Sequence, residues 1–173
     1  MVSGKHYQNA YVCPDIETGI AEFRKIVPGG DVPIIDIDFA VQTPDGSRRI
    51  ANRVAMMWVD DLQYELIQPV VDETGIYGNH GCGGGQLQFH HTCRRVADWD
   101  SFRATLASQP FPVVMERSEQ DPQIKFLYLD ARPLLGHYLE YCWMSDEMWA
   151  SAPWRWSGLK PAAPLVTLAP ARH

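Results

Sequence analysis

Residues 8–23, QNAYVCPDIETGIAEF, and residues 90–102, HHTCRRVADWDSF, decide how this chain is read. In each, a strand-like run leads into an aspartate, Asp15 or Asp98, placed to cap a helix. The apolar residues that follow recur at helical spacing: Ile16, Ile20 and Phe23 in the first, Trp99, Phe102 and Leu106 in the second. An offset of 83 residues superposes the two stretches, Gln8 on His91, Ala10 on Cys93, Asp15 on Asp98, Ile16 on Trp99 and Ala21 on Ala104. Identity is low; what repeats is the position of the cap and the strand-to-helix spacing.

Working outward, the first helix is expected to run to Val27 and stop at Pro28-Gly29-Gly30. VPIIDIDFAVQ (32–42) then alternates as a strand, PDGS (44–47) turns, and RIANRVAMMWV (49–59) and LQYELIQPV (62–70) follow as strands across Asp60-Asp61. The second copy continues with VVMERSE (113–119), IKFLYLDA (124–131) and LGHYLEYCW (135–143). Both halves therefore order as β-α-β-β-β, an α+β chain of two modules at 6–71 and 87–144. Between them, 72–86 has five glycines within residues 78–86 and reads as a flexible connection. A tail, 145–173, carries Trp149, Trp154 and Trp156, which are expected to pack over a module or a partner.

The chain has 173 residues, 46% hydrophobic, with 15 basic against 21 acidic side chains. That acidic balance, with no Lys/Arg block longer than the pairs Arg48-Arg49 and Arg94-Arg95, argues against a nucleic-acid partner. No apolar run approaches the roughly 20 residues of a membrane span, and the N-terminus lacks a signal-peptide pattern. Cys13, Cys82, Cys93 and Cys142 are widely spaced without CxxC and read as reduced thiols of a cytoplasmic protein. GCGGG at 81–85 lacks the spacing of a phosphate-binding loop.

Each module's last strand carries an acid in an apolar run, Glu65 or Glu140, and each first strand carries Gln8 or His91, seven residues before the capping aspartate. If the sheets curve around one cleft, these four converge as hard or borderline donors for a divalent cation. Placement of both acids on a solvated sheet face is the competing explanation.

These residues resemble the vicinal oxygen chelate superfamily of glyoxalases, bleomycin-resistance proteins and extradiol dioxygenases. The likeness covers about residues 6–144 and rests on QNAYVCPDIETGIAEF, YELIQPV, HHTCRRVADWDSF and HYLEYCW, closest to the methylmalonyl-CoA epimerase-like subgroup. It implies a U-shaped, incompletely closed barrel around a metal cleft, a homodimer, and Gln8, Glu65, His91 and Glu140 as metal ligands. Gln8 departs from the histidine that many members have there; His6, two residues away, is the alternative. The resemblance implies a divalent-metal-dependent lyase or isomerase (Zn, Mn, Ni, Co, Fe or Mg) working through a metal-stabilised enolate. Glu140 is then the proton-moving residue and Glu65 its partner, unless both are plain ligands. Phe89, Tyr138 and Met57, with Trp58 as a further candidate, are read as cleft walls for a hydrophobic or aromatic carbonyl compound. Arg53, with Arg48 and Arg49, either meets an anionic substrate tail or lies on a solvated edge. A non-catalytic small-molecule binding protein is the alternative. An Fe(II) dioxygenase is disfavoured, because one imidazole replaces two and His90 falls on the opposite strand face.

Overall fold

The computed structural model describes residues 4–27, 31–78 and 87–151. The Pro28-Gly29-Gly30 stop, the glycine-rich stretch 79–86 with Cys82, and the tail with Trp154 and Trp156 lie outside these residues. The elements are β1 (Lys5–Val12), α1 (Ile16–Phe23), β2 (Ile34–Thr43), β3 (Gly46–Val59), β4 (Leu62–Asp72), β5 (Gln88–Arg95), α2 (Trp99–Thr105), β6 (Val113–Arg117), β7 (Ile124–Leu129), α3 (Arg132–Leu135), β8 (Tyr138–Met144) and α4 (Asp146–Ser151).

The repeat is realised locally as its spacing implies. The Asp15 carboxylate accepts from Thr18 N at 2.8 Å and that of Asp98 from Ser101 N at 3.0 Å, each satisfying a free amide of a first turn. Helix α1 ends at Phe23 rather than Val27, because Lys25 N and Ile26 N bond back only three residues, to Glu22 and Phe23 carbonyls, tightening the chain out of α geometry. The strand expected from Leu135 begins instead at Tyr138. Arg132–Leu135 coil into one turn with Pro133 in its first turn, and Gly136 closes it at φ 77°, a left-handed conformation that favours glycine.

The strands form one ring in the order β1-β4-β3-β2-β6-β7-β8-β5, closed by β5 on β1. The expected U-shaped, incompletely closed barrel is therefore corrected to a closed one. β2 and β6 meet with Gln42 opposite Glu116, so neither module is left with an open edge there. In the first half β1 lies parallel to β4 with Ala10 opposite Glu65; in the second β5 lies parallel to β8 with Cys93 opposite Glu140. The register thus repeats with the same offset as the sequence.

Two irregularities repeat as well. Between β1 and β5 the register slips at Tyr7 and again at His90, so the residue just before Gln8 and the one just before His91 are both bulged. Each bulge turns two successive residues inward: Tyr7 and Gln8 are 4% exposed, His90 3% and His91 0%.

Packing follows the sandwich of helix, strand and barrel interior. Helix α1 covers Cys13, Ala55, Met57 and Leu66; α2 covers Leu127, Leu129 and Tyr141. Each fully buried leucine here contributes about 1.5–3 kcal/mol of transfer free energy. Inside the ring sit Val54, Met115, Phe126 and Tyr128. From α4, Trp149 packs edge-on to Tyr7 at 5.1 Å and lies under the Arg95 guanidinium at 4.3 Å, covering one end of the barrel. Among the described residues no helix is long and apolar enough to cross a membrane.

Candidate metal centre and cavity

A cavity of about 300 Å³ lies inside the barrel. Its polar end is built by Gln8 of β1, Gln63 and Glu65 of β4 and Glu140 of β8, on strands flanking the β1–β5 junction. Its walls are apolar, among them Ile37, Phe39, Val54, Met56, Ile67 and Phe126. Arg117 and Asp121 line it on the side of the β2–β6 seam, across the ring.

At the polar end His91 Nε2 stands 3.0 Å from Glu140 Oε2 and 3.6 Å from Glu65 Oε2. Although the first distance is short, the contact has no hydrogen-bond alignment, and Nε2 is buried without a hydrogen-bond partner. The other nitrogen explains why. His90 Nε2 lies 3.0 Å from the Ile76 carbonyl, which only accepts, so that nitrogen carries a proton. With both rings neutral, His90 Nδ1 is then an acceptor, and the nitrogen 2.8 Å from it, His91 Nδ1, donates. The Nε2 lone pair of His91 is thereby turned toward the two carboxylates. Three electron-rich groups facing one another in a buried place fit a divalent cation by their donor chemistry. Finished coordination geometry is another matter: among the described residues, no group of three or more His, Cys, Asp or Glu side chains is arranged to hold a metal ion.

The electrostatics are consistent with this crowding. Burial, and then the charge of Glu140, hold the Glu65 carboxyl well above the ordinary carboxylate range. Burial likewise pushes the Tyr77 and Tyr128 phenols up, with Glu65 and Glu140 adding to the shift, so both remain hydroxyl donors at neutral pH. Gln8 Nε2 donates to Gln63 Oε1 at 2.8 Å, which fixes the Gln8 amide and leaves its oxygen to the cavity that Gln8 lines. Gln63 Nε2 and Asn52 Oδ1 are buried without hydrogen-bond partners among the described residues, two further polar hooks at the cavity wall.

The structure brings Gln8, Glu65, His91 and Glu140 to one place and puts other sequence candidates elsewhere. His6 is turned out by the bulge after it, its ring near Asn9 Oδ1 and the Gln8 carbonyl. Phe89 is 39% exposed against Tyr11 and His137, on the outer side of the barrel. Met57 packs beneath α1, while its neighbour Met56 lines the cavity. Arg53 is held outside by Glu17 at 2.7 and 3.0 Å. Tyr138 lies opposite His91 in register, but its ring packs on His90 and lines a separate surface depression with Arg132. Trp58 stacks on Tyr7 and meets Trp149 edge-on.

Sequence reasoning missed Gln63, Asn52 and Tyr128, and it read residues 73–78 as featureless connection. There Asp72 binds Thr74 N, Gly75 N and Tyr77 N through its carboxylate, and Ile76 and Tyr77 are buried. The signal was the apolar pair Ile76-Tyr77 after an Asp-x-Thr-Gly turn.

No protein-family description matches the chain, and no curated protein does. Solved structures do. A methylmalonyl-CoA epimerase from Mycobacterium tuberculosis superposes with a TM-score of 0.55 at 16% identity, over 87% of this chain and 93% of that one. A variant of the Streptomyces coelicolor methylmalonyl-CoA epimerase, in complex with 2-nitronate-propionyl-CoA, gives 0.55 at 13% identity, over 83% and 99%. A hypothetical protein from Bacillus halodurans gives 0.53 at 12% identity, over 83% and 96%. At these identities the likeness is one of fold: the chain has the fold of these methylmalonyl-CoA epimerases.

Proposed function

We propose that this chain, folded as methylmalonyl-CoA epimerases are, is a divalent-metal-dependent, epimerase-like lyase or isomerase. Its substrate is a carbonyl-containing, hydrophobic or aromatic small molecule, and the reaction passes through an enolate. The observation that carries this reading is the buried His91 Nε2, its lone pair fixed by the His90 relay and facing Glu140 and Glu65 at the polar end of an apolar cavity. His91, Glu65 and Glu140 would hold the cation, with the Gln8 amide oxygen as a neutral donor. When bound, it supplies Lewis-acid stabilisation of negative charge on the substrate's carbonyl oxygen.

The chain's own residues do the rest. Apolar walls exclude water and so strengthen every charge interaction inside. Glu140 removes the proton next to the carbonyl, and Glu65 is its partner at the same end of the cavity. Gln63 orients Gln8, and the phenols of Tyr77 and Tyr128 offer donors to the substrate's oxygens. The donor set does not favour ring-cleaving Fe(II) chemistry: His90 spends both nitrogens on Ile76 and His91, and His6 lies outside, leaving one imidazole. The proposal also takes residues 6–71 and 87–144 as one catalytic unit in a cytoplasmic homodimer.

Purified without chelator, then stripped and titrated with Co²⁺, Ni²⁺, Mn²⁺ and Mg²⁺ under calorimetry, the protein should bind at least one ion at one site per chain. Glu140→Gln should weaken that binding and abolish proton exchange on substrates from a carbonyl-compound screen that includes CoA thioesters. A chain that takes up no divalent ion is not this enzyme, and sequestration of a hydrophobic molecule becomes the better account of the cavity.

A further inference from the structure

Among the described residues, four arginines are each gripped at two points by a carboxylate: Arg49 by Asp38, Arg53 by Glu17, Arg103 by Glu116 and Arg132 by Asp130, with N–O distances from 2.6 to 3.1 Å. Arg117 is not. Its side chain is only 15% exposed, its Nε is buried without a hydrogen-bond partner, and its one carboxylate neighbour, Asp121, lies 3.6 Å from Nη1, beyond hydrogen-bond reach. The adjacent Glu116 is already taken by Arg103. Asp121 is thus an ion-pair partner for Nη1 only, and a buried Nε–H left unfilled is costly unless something accepts from it. The Phe39 ring, 4.7 Å from the guanidinium carbon, holds the group across the seam where β2 meets β6.

We propose that Arg117 is the anchoring point for a carboxylate on the substrate, which makes that substrate an amphipathic acid. Its carboxylate sits at the β2–β6 seam, its apolar body spans the barrel, and its reacting carbonyl lies at the His91 end. The planar fork of arginine matches the two oxygens of a carboxylate, and its place follows from the strand order, which sets β2 and β6 across the ring from β1 and β5. This assignment of substrate class rests on the function proposed above, but the subsite itself does not need the metal.

The test uses 4-phenylbutanoate and its neutral counterpart 4-phenylbutanamide, neither of which carries a carbonyl beyond its head group, titrated calorimetrically into the full chain in EDTA. Wild type should prefer the acid by about ten- to a hundredfold, the range for a charge-assisted paired contact. Arg117→Gln should erase the preference with amide binding unchanged. Asp121→Asn, which removes the nearby negative charge, should keep or sharpen it. No preference for the acid in wild type, or a preference that survives in Arg117→Gln, overturns the inference. Metal-binding results leave these measurements untouched, so failure of the metal-site reading would be seen separately.

Discussion

Replacing His90 by phenylalanine tests the relay that orients His91. The aromatic ring keeps its packing on Tyr77 at 5.1 Å and Tyr138 at 5.0 Å, so little apolar contact is lost. Two buried polar groups lose their partners: the Ile76 carbonyl and the His91 Nδ1–H. Each orphaned group costs about 1–3 kcal/mol, giving about 2–6 kcal/mol in all. At about 2–4 °C per kcal/mol for a chain this long, the melting temperature should fall by roughly 4–24 °C. With no acceptor for Nδ1–H, His91 is free to carry its proton on Nε2, and Co²⁺ affinity, followed by the d–d absorption, should drop by about 10- to 100-fold. Asparagine separates the two effects. Its Oδ1 stands where Nδ1 was and restores the acceptor for His91 without reaching Ile76, so metal affinity should return while part of the stability loss remains. Wild-type metal affinity in His90→Phe would refute the relay.

Metal-stripped protein should become less stable as pH rises from the ordinary glutamate value of about 4.3 toward the raised value of Glu65, because the native state keeps a proton that the unfolded chain releases. Glu65→Gln should flatten this slope in urea titrations across pH; an unchanged slope would assign it to another group. Leu129→Ala, beneath α2, should cost about 2–5 kcal/mol in chemical denaturation, and a loss below about 1 kcal/mol would contradict the packing described. Gly19→Ala should lower the melting temperature although alanine is the better helix former, because its Cβ would come within 2.9 Å of the buried Cys13 Sγ; a rise would show that α1 shifts freely.

Much of the ring and its donors was legible because spacing is written in the chain: caps at Asp15 and Asp98, acids in the fourth strands, and one offset relating the halves. What escaped depends on register, a property of pairs of strands. Strand parity put Phe89 on the face of His91, and His6 on that of Gln8. The bulges at His90 and Tyr7 break parity at those two steps and turn Phe89 and His6 outward. Met56 and Met57 are equivalent to any periodicity argument until β3 is laid against β4, where Met56 stands opposite Glu65. Arg117 carried no sequence signal, since its importance lies in the contacts it does not make.

The ring order also divides labour. The strands β4, β1, β5 and β8 are contiguous and bear Gln8, Gln63, Glu65, His91 and Glu140, whereas β3, β2, β6 and β7 are contiguous and bear Arg117 and most of the apolar walls named above. Between β2 and β6 the halves are clasped by a single registered pair, while β1 and β5 run together from Lys5 opposite Arg95 to Val12 opposite Gln88. On the function proposed above, the barrel is most extensively paired where proton transfer would demand fixed geometry and least so at the seam where Arg117 stands. Substitutions in the sparsely paired arc would then reshape the cavity walls while leaving the polar end in place.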